Sequence, residues 1–283
     1  MAQVCGSFGI SRQAHYQQCW REARRAAQHG EVRRLVLQVR AQHPRMGTRK
    51  LLDKIQPVLQ KGGQSIGRDR LFDVLREEDL LVRPRKSYHR TTIPGWYRAP
   101  NRLLGKTVRA ANQVWVGDIT YLELNVGGFV YLFVLMDLYS RYILGWHVAA
   151  SLAADGALAC LHMALSHPHT AAQSLIHHSD HGVQYTSRGY MDTLLSHEIL
   201  PSMGAVGNCY DNIYAERLIN TLKNEYLLDR PFSHLEQITP ALQEVIRLYN
   251  SDRPHLSLNL ATPEAVFCGI RADAPPIHIP LAV

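Results

Sequence analysis

Cysteine is scarce in this sequence of 283 residues. The five present (Cys5, Cys19, Cys160, Cys209 and Cys268) are scattered and odd in number. No two stand at the spacing of a zinc knuckle or a dithiol redox motif, which excludes those classes and leaves reduced, packed thiols in a reducing compartment. Long apolar runs are missing too. None reaches the roughly 18 residues that a membrane helix needs. The opening stretch, MAQVCGSFGISRQAHYQ, has no basic segment followed by an apolar core and a cleavage site, so a cytoplasmic location without a membrane partner is expected. Internal repeats are absent as well. Acidic residues are sparse in the first third of the chain.

Residues 1–110 carry 23 of the 31 Lys and Arg but 8 of the 24 acids, a net of +15, whereas residues 111–283 have a net of −8. A basic segment joined to an acidic one suits nucleic-acid binding beside chemistry that uses carboxylates. The alternative is a merely solvated basic surface. With 46% hydrophobic residues the chain can build a real core, enough for one large domain and a small one.

The pattern along the chain divides it. Residues 1–42 read as a helical segment, stopped by His43-Pro44. In residues 43–90, Leu51, Leu52, Ile55 and Leu59 recur at helical spacing. After Lys61-Gly62-Gly63 a second amphipathic helix carries Leu71, Phe72 and Leu75. Two short helices about a glycine turn fit a helix-turn-helix, with an ordinary helical hairpin as the alternative. In the former, Arg68 and Arg70 face base edges while Arg49 and Lys50 contact phosphates. Arg83 to Arg109 is basic, broken by prolines and interleaved with Tyr88, Trp96 and Tyr97. Arg85, Lys86 and the linker proper, 91–110, suit tracking along a phosphate backbone. Residues 111–270 then read as a three-strand meander followed by strands alternating with helices, which argues a mixed α/β sheet covered on both faces. The tail, 271–283, is expected to be irregular.

Three acids stand out by context. Asp118 interrupts an apolar strand, VWVGDITYL, where a carboxylate is costly unless a cation or hydrogen bonds compensate it. Asp180 follows the strand SLIHHS, at the end that lines the crevice of α/β sheets. Glu216 lies on a long helix over about 211–228, sharing a polar face with Asn212, Asn220 and Lys223. Three carboxylates converging from two strands and a helix suit two hard divalent ions, Mg²⁺ or Mn²⁺, which activate phosphodiester chemistry. Lys223, two turns beyond Glu216, is placed to hold a DNA phosphate.

The segments WVGDITYL, HSDHGVQYTS and GNCYDNIYAERLINTLKNEY resemble the three catalytic blocks of the DDE integrase-core superfamily, with thirty-five residues between Asp180 and Glu216. The second-frame (OrfB) transposases of IS-three family insertion sequences are the nearest likeness. YNSDRPHLSLNLATPEAV resembles their C-terminal block, and HPRMGTRKLLDKI through LLVRPR their helix-turn-helix region. The resemblance covers about residues 43–268. It implies an RNase H-like core, Mg²⁺ dependence, nicking at element ends and strand transfer by a 3′-hydroxyl. Asp118, Asp180 and Glu216 are then the triad, Lys223 a DNA-contacting position, and Asn208, Asp211 and Asn212 the loop entering the catalytic helix. It further implies a homo-oligomer that joins two ends, and an upstream OrfA fusion or partner. His181, Gly204 and Ile213 depart from the common family residues without removing a ligand.

Other polar residues are set aside. Asp137, outside the family triad, is expected to be structural. His177 and His178 are neighbours on a strand and point to opposite faces, which argues against a histidine metal site. Arg253 and His255 either bind DNA or cap and pack the last helix of the core. Two other functions compete with the transposase reading: an RNase H-like nuclease without strand transfer, and a non-catalytic DNA-binding regulator.

Overall fold

The structure is a computed structural model that describes residues 12–82, 99–167, 174–204, 212–271 and 274–281. The chain forms two compact units, residues 1–83 and 84–283.

Among the described residues the first unit contains three helices: α1 (Arg12–Gln42), α2 (Thr48–Lys61) and α3 (Arg68–Glu77). Each amphipathic stripe closes on one core. Val32, Leu35 and Val36 come from α1, Leu51, Ile55 and Leu59 from α2, and Leu71, Val74 and Leu75 from α3. α2 ends where the sequence suggested. Gly63 takes φ +70 and the Gln64 amide returns to the Leu59 carbonyl at 2.8 Å, a left-handed cap that glycine makes at no steric cost. Arg49 is exposed, and the side chains of Arg68 and Arg70 are about half exposed, bonded to Asp69 and Glu77. Lys50 departs from the expected phosphate contact. It is 6% exposed, because the stripe that α2 turns inward includes Thr48, Lys50 and Leu51 together.

The second unit is built on a five-stranded sheet: β2 (Val114–Glu123), β3 (Phe129–Asp137), β4 (Ile143–Ala149), β5 (Ile176–Ser179) and β6 (Leu200–Met203), in the order β4-β3-β2-β5-β6. β2, β3 and β4 form the antiparallel meander, while β5 and β6 run parallel to β2. Alternation sorts their side chains. Val114, Val116, Leu132 and Val134 meet α6 (Ile213–Glu225) and α7 (Ile238–Ser251) on one face. Trp115, Phe133 and Leu135 meet α4 (Ala154–Leu165) and α5 (Arg188–Ser196) on the other. Helices on both faces of a mixed sheet are the arrangement expected from the sequence. α4 lies so close to β4 that a Cβ at Gly145 would collide with the Cys160 carbonyl oxygen.

A short helix, α8 (Pro263–Phe267), follows α7. The tail is not wholly irregular. Ile277–His278 forms β7, antiparallel to β1 (Thr107–Val108), with Ile277 and Ile279 packed on the core that holds the fully buried Val108. Among the described residues no helix is long and apolar enough to cross a membrane, and Cys19, Cys160 and Cys268 are free thiols.

Candidate active site

The β2–β5 pairing fixes where two of the three acids stand. Val114, Trp115 and Val116 lie opposite Ile176, His177 and His178 in parallel register. Continuing that register two residues sets Asp118 level with Asp180, on the face that α6 covers. β5 ends at Ser179, so Asp180 sits where the chain leaves the sheet. The Asp180 Oδ1 atom accepts the Gly182 amide at 3.0 Å, which curls the loop, and Asp118 Oδ1 accepts the Ile119 amide at 2.8 Å.

Glu216 comes from the first turn of α6. Ala215, Leu218, Ile219 and Leu222 bury one side of that helix, and Glu216 and Asn220 stand exposed beside it. Charge links the three acids. Burial, and then the charge of Asp180, push the Asp118 carboxyl well above the usual range, with Glu216 adding to the push. Glu216 is raised by partial desolvation and by the charge of Asp180. Among the described residues no group of three or more His, Cys, Asp or Glu is assembled tightly enough to hold a metal ion. Mutual repulsion among neighbouring carboxylates favours capture of a divalent cation. The donors are all hard oxygens, which fit Mg²⁺ or Mn²⁺ and not a soft metal.

Two residues of α6 border these acids. Asn212, its buried N-cap, donates Nδ2–H to the Gly117 carbonyl at 3.2 Å, one residue before Asp118. Lys223 is half-buried, with Nζ 4.1 Å from the centre of the Tyr121 ring. Burial lowers its pKa, while Asp229 and Asp118 favour the charged form.

The polar residues set aside in the sequence are accounted for separately. Asp137 is fully buried and accepts the Asn112 amide, the Ser140 amide and the Ser140 hydroxyl at 2.6–2.7 Å, a structural task in the β3–β4 turn. His177 pairs with the Tyr190 hydroxyl at 2.8 Å and His178 with Ser202 Oγ at 2.9 Å. Arg253 is 5% exposed and forks onto Glu225 at 2.8 and 3.0 Å, over the ring of Tyr249. It is therefore spent on tying the end of α6 to the chain after α7, where burial and a bidentate partner outcompete a DNA contact. Arg85, Lys86, Asn208 and Asp211 lie outside the described residues. The contact between Lys223 and Tyr121 is not legible in the sequence, because strand alternation assigns Tyr121 to the face opposite Asp118.

These blocks also match known proteins. Integrase core domain families match residues 108–209 and 197–263. An uncharacterized 31 kDa protein of the insertion element IS600 from Shigella sonnei is 34% identical over 275 residues, covering 93% of this chain and 96% of that protein. The chain belongs to the insertion-sequence transposases of the DDE integrase superfamily. The transposase InsF of IS3A from Escherichia coli is 36% identical over 154 residues, 54% of this chain and 53% of that protein. The transposase of IS904 from Lactococcus lactis is 36% identical over 159 residues, 55% and 61%. The chain thus spans between half and two thirds of those two relatives. Among solved structures, the HTLV-2 integrase catalytic core domain in complex with magnesium aligns with a TM-score of 0.44 at 18% identity, over 56% of this chain and 99% of that one. The core of this transposase-family chain has the mixed α/β sheet, covered by helices on both faces, that its sequence implied.

Proposed function

We propose that this chain binds the ends of an insertion sequence and cuts and joins DNA strands there, with Asp118, Asp180 and Glu216 as its catalytic acids. One arrangement carries the reading: an aspartate on β2, a second where the chain leaves the neighbouring β5, and a glutamate on the covering helix, with Asp118 and Glu216 both under the charge of Asp180. Asp180 and Glu216 push the Asp118 carboxyl up, and Asp180 pushes Glu216 up; carboxylates crowded in this way are poised to hold divalent cations.

Asp118, Asp180 and Glu216 would hold two magnesium or manganese ions, which supply activation of the attacking hydroxyl and stabilisation of the leaving oxygen. The chain's own groups do the rest. The Ile119 and Gly182 amides orient the two aspartates. Asn212 ties the helix of Glu216 to the strand of Asp118. The Lys223 ammonium, half shielded from water, is placed to take a phosphate next to Asp118. Exposed Arg49, Arg68 and Arg70 in the first unit are the DNA-binding residues supported by their position, with Arg85, Lys86 and Asn208 retained from the sequence pattern. Joining two ends calls for at least two copies of the chain.

Incubating the protein with a labelled terminal repeat of its own element, with and without Mg²⁺, tests the proposal, with Asp118→Asn as control. Joining of the labelled end to a target supports it. Cleavage without joining makes the protein a nuclease, and binding with neither makes it a regulator.

A further inference from the structure

Lys223 reaches a gap in the edge of the sheet. β5 pairs with β2 as far as Val116, and Asn212 takes the Gly117 carbonyl. Pairing on that edge resumes only at Glu123, whose carbonyl accepts the Phe232 amide at 2.8 Å. Between these points, among the described residues, no strand covers the edge from Asp118 to Leu122. The Lys223 side chain crosses there and ends over the Tyr121 ring, 4.1 Å from its centre. That ring also packs edge-on against Phe129, with ring centres 5.1 Å apart. A lysine has a flexible four-carbon stem, so its ammonium stays beside a given carboxylate only when something holds it there. The negative face of an aromatic ring does this without neutralising the charge, as a carboxylate partner would.

We infer that Tyr121 is a positioning residue that holds the Lys223 ammonium at the uncovered edge of β2, where it is presented to the DNA phosphate. The inference rests on the proposed function for what Lys223 does, and on geometry alone for how it is held. The ring makes the contact and the hydroxyl does not enter it. Phenylalanine should therefore serve and an aliphatic residue of similar bulk should not.

The test uses the full chain as wild type, Tyr121→Phe, Tyr121→Leu, Lys223→Met and the Tyr121→Leu/Lys223→Met double variant. In the joining assay Tyr121→Phe stays near wild type, while Tyr121→Leu loses about tenfold in turnover, close to the loss in Lys223→Met. The double variant is no worse than Lys223→Met alone. Losses that add in the double variant, or a Tyr121→Leu protein at wild-type turnover, overturn the inference. A second readout needs no activity. After reductive ¹³C-methylation, the Lys223 signal, assigned by its absence in Lys223→Met, is shifted upfield by the ring and returns to the ordinary lysine position in Tyr121→Leu. A Lys223 signal unshifted in wild type overturns the pairing. An inactive wild type whose signal is shifted overturns the transposase reading and upholds the pairing.

Discussion

The side-chain amide of Asn212 donates to the carbonyl oxygen of Gly117 across 3.2 Å. This bond joins the cap of the helix that carries Glu216 to the strand residue preceding Asp118, so two acids distant in sequence share one mechanical reference. Replacing Asn212 with Ala should cost about 1 kcal/mol of stability. It should cost turnover about tenfold or more, because the acids lose their relative placement. Urea unfolding and the joining assay, run on the same preparation, separate the two effects. A loss of activity no larger than the loss of folded protein would reduce Asn212 to a packing role.

As a catalytic acid, Asp118 would trade stability for chemistry. Its carboxyl is half-buried and faces the charge of Asp180 and Glu216. Asp118→Asn should therefore raise the melting temperature by a few degrees in a chelator while reducing strand joining to background. Magnesium should raise the melting temperature of wild type and leave that of the variant nearly unchanged. DNA binding should survive the change. Calorimetry with and without the ion checks this, and a variant less stable than wild type in chelator contradicts it.

Acid should loosen the fold through His177. Burial, and next the neighbouring His178, depress its pKa to about 3. A histidine depressed in the folded state is neutral there, whereas the unfolded chain takes up a proton below its ordinary value near 6.5. Its contribution is thus fully present above about pH 6.5 and is lost as the pH falls toward 3. At pH 5 the loss is on the order of 2 kcal/mol. His177→Gln should flatten this part of the profile, measured as the difference in unfolding free energy between pH 7.5 and pH 5 in the two proteins. Parallel slopes would rule His177 out as the source.

Arg253 should behave as a structural residue. Removing it by Arg253→Ala leaves Glu225 without its fork and should destabilise the protein by about 3 kcal/mol. Pairing Arg253→Met with Glu225→Leu should recover most of that. DNA affinity and its salt dependence should be unchanged in the double variant. A shallower salt slope would return Arg253 to the phosphate-contacting set.

Much of this architecture was legible in the sequence, for physical reasons that also mark where it stopped. The meander and its helices follow from periodicity that the core enforces, as the burial of Leu51, Ile55 and Leu59 shows for α2 and that of Val114 and Val116 for β2. Asp118 was visible because a charge in an apolar strand needs a reason. β1 and β7 were not, since two-residue strands have no period to read. The burial of Lys50 and the Arg253–Glu225 fork depend on partners at long range, which neither spacing nor residue type reveals. Tyr121 was missed for a different reason. Alternation predicts the face of a strand but not what passes its edge.

The pairing of Thr107 with His278 brings an early strand of the second unit alongside a late one. The unit is closed almost into a ring, so its order of elements is a matter of connectivity more than of packing. A circular permutant that splices the two ends there and opens an exposed turn elsewhere keeps every sheet contact. Trimming the tail before Ile277, by contrast, uncovers Val108 and opens the core from which β2 draws its support.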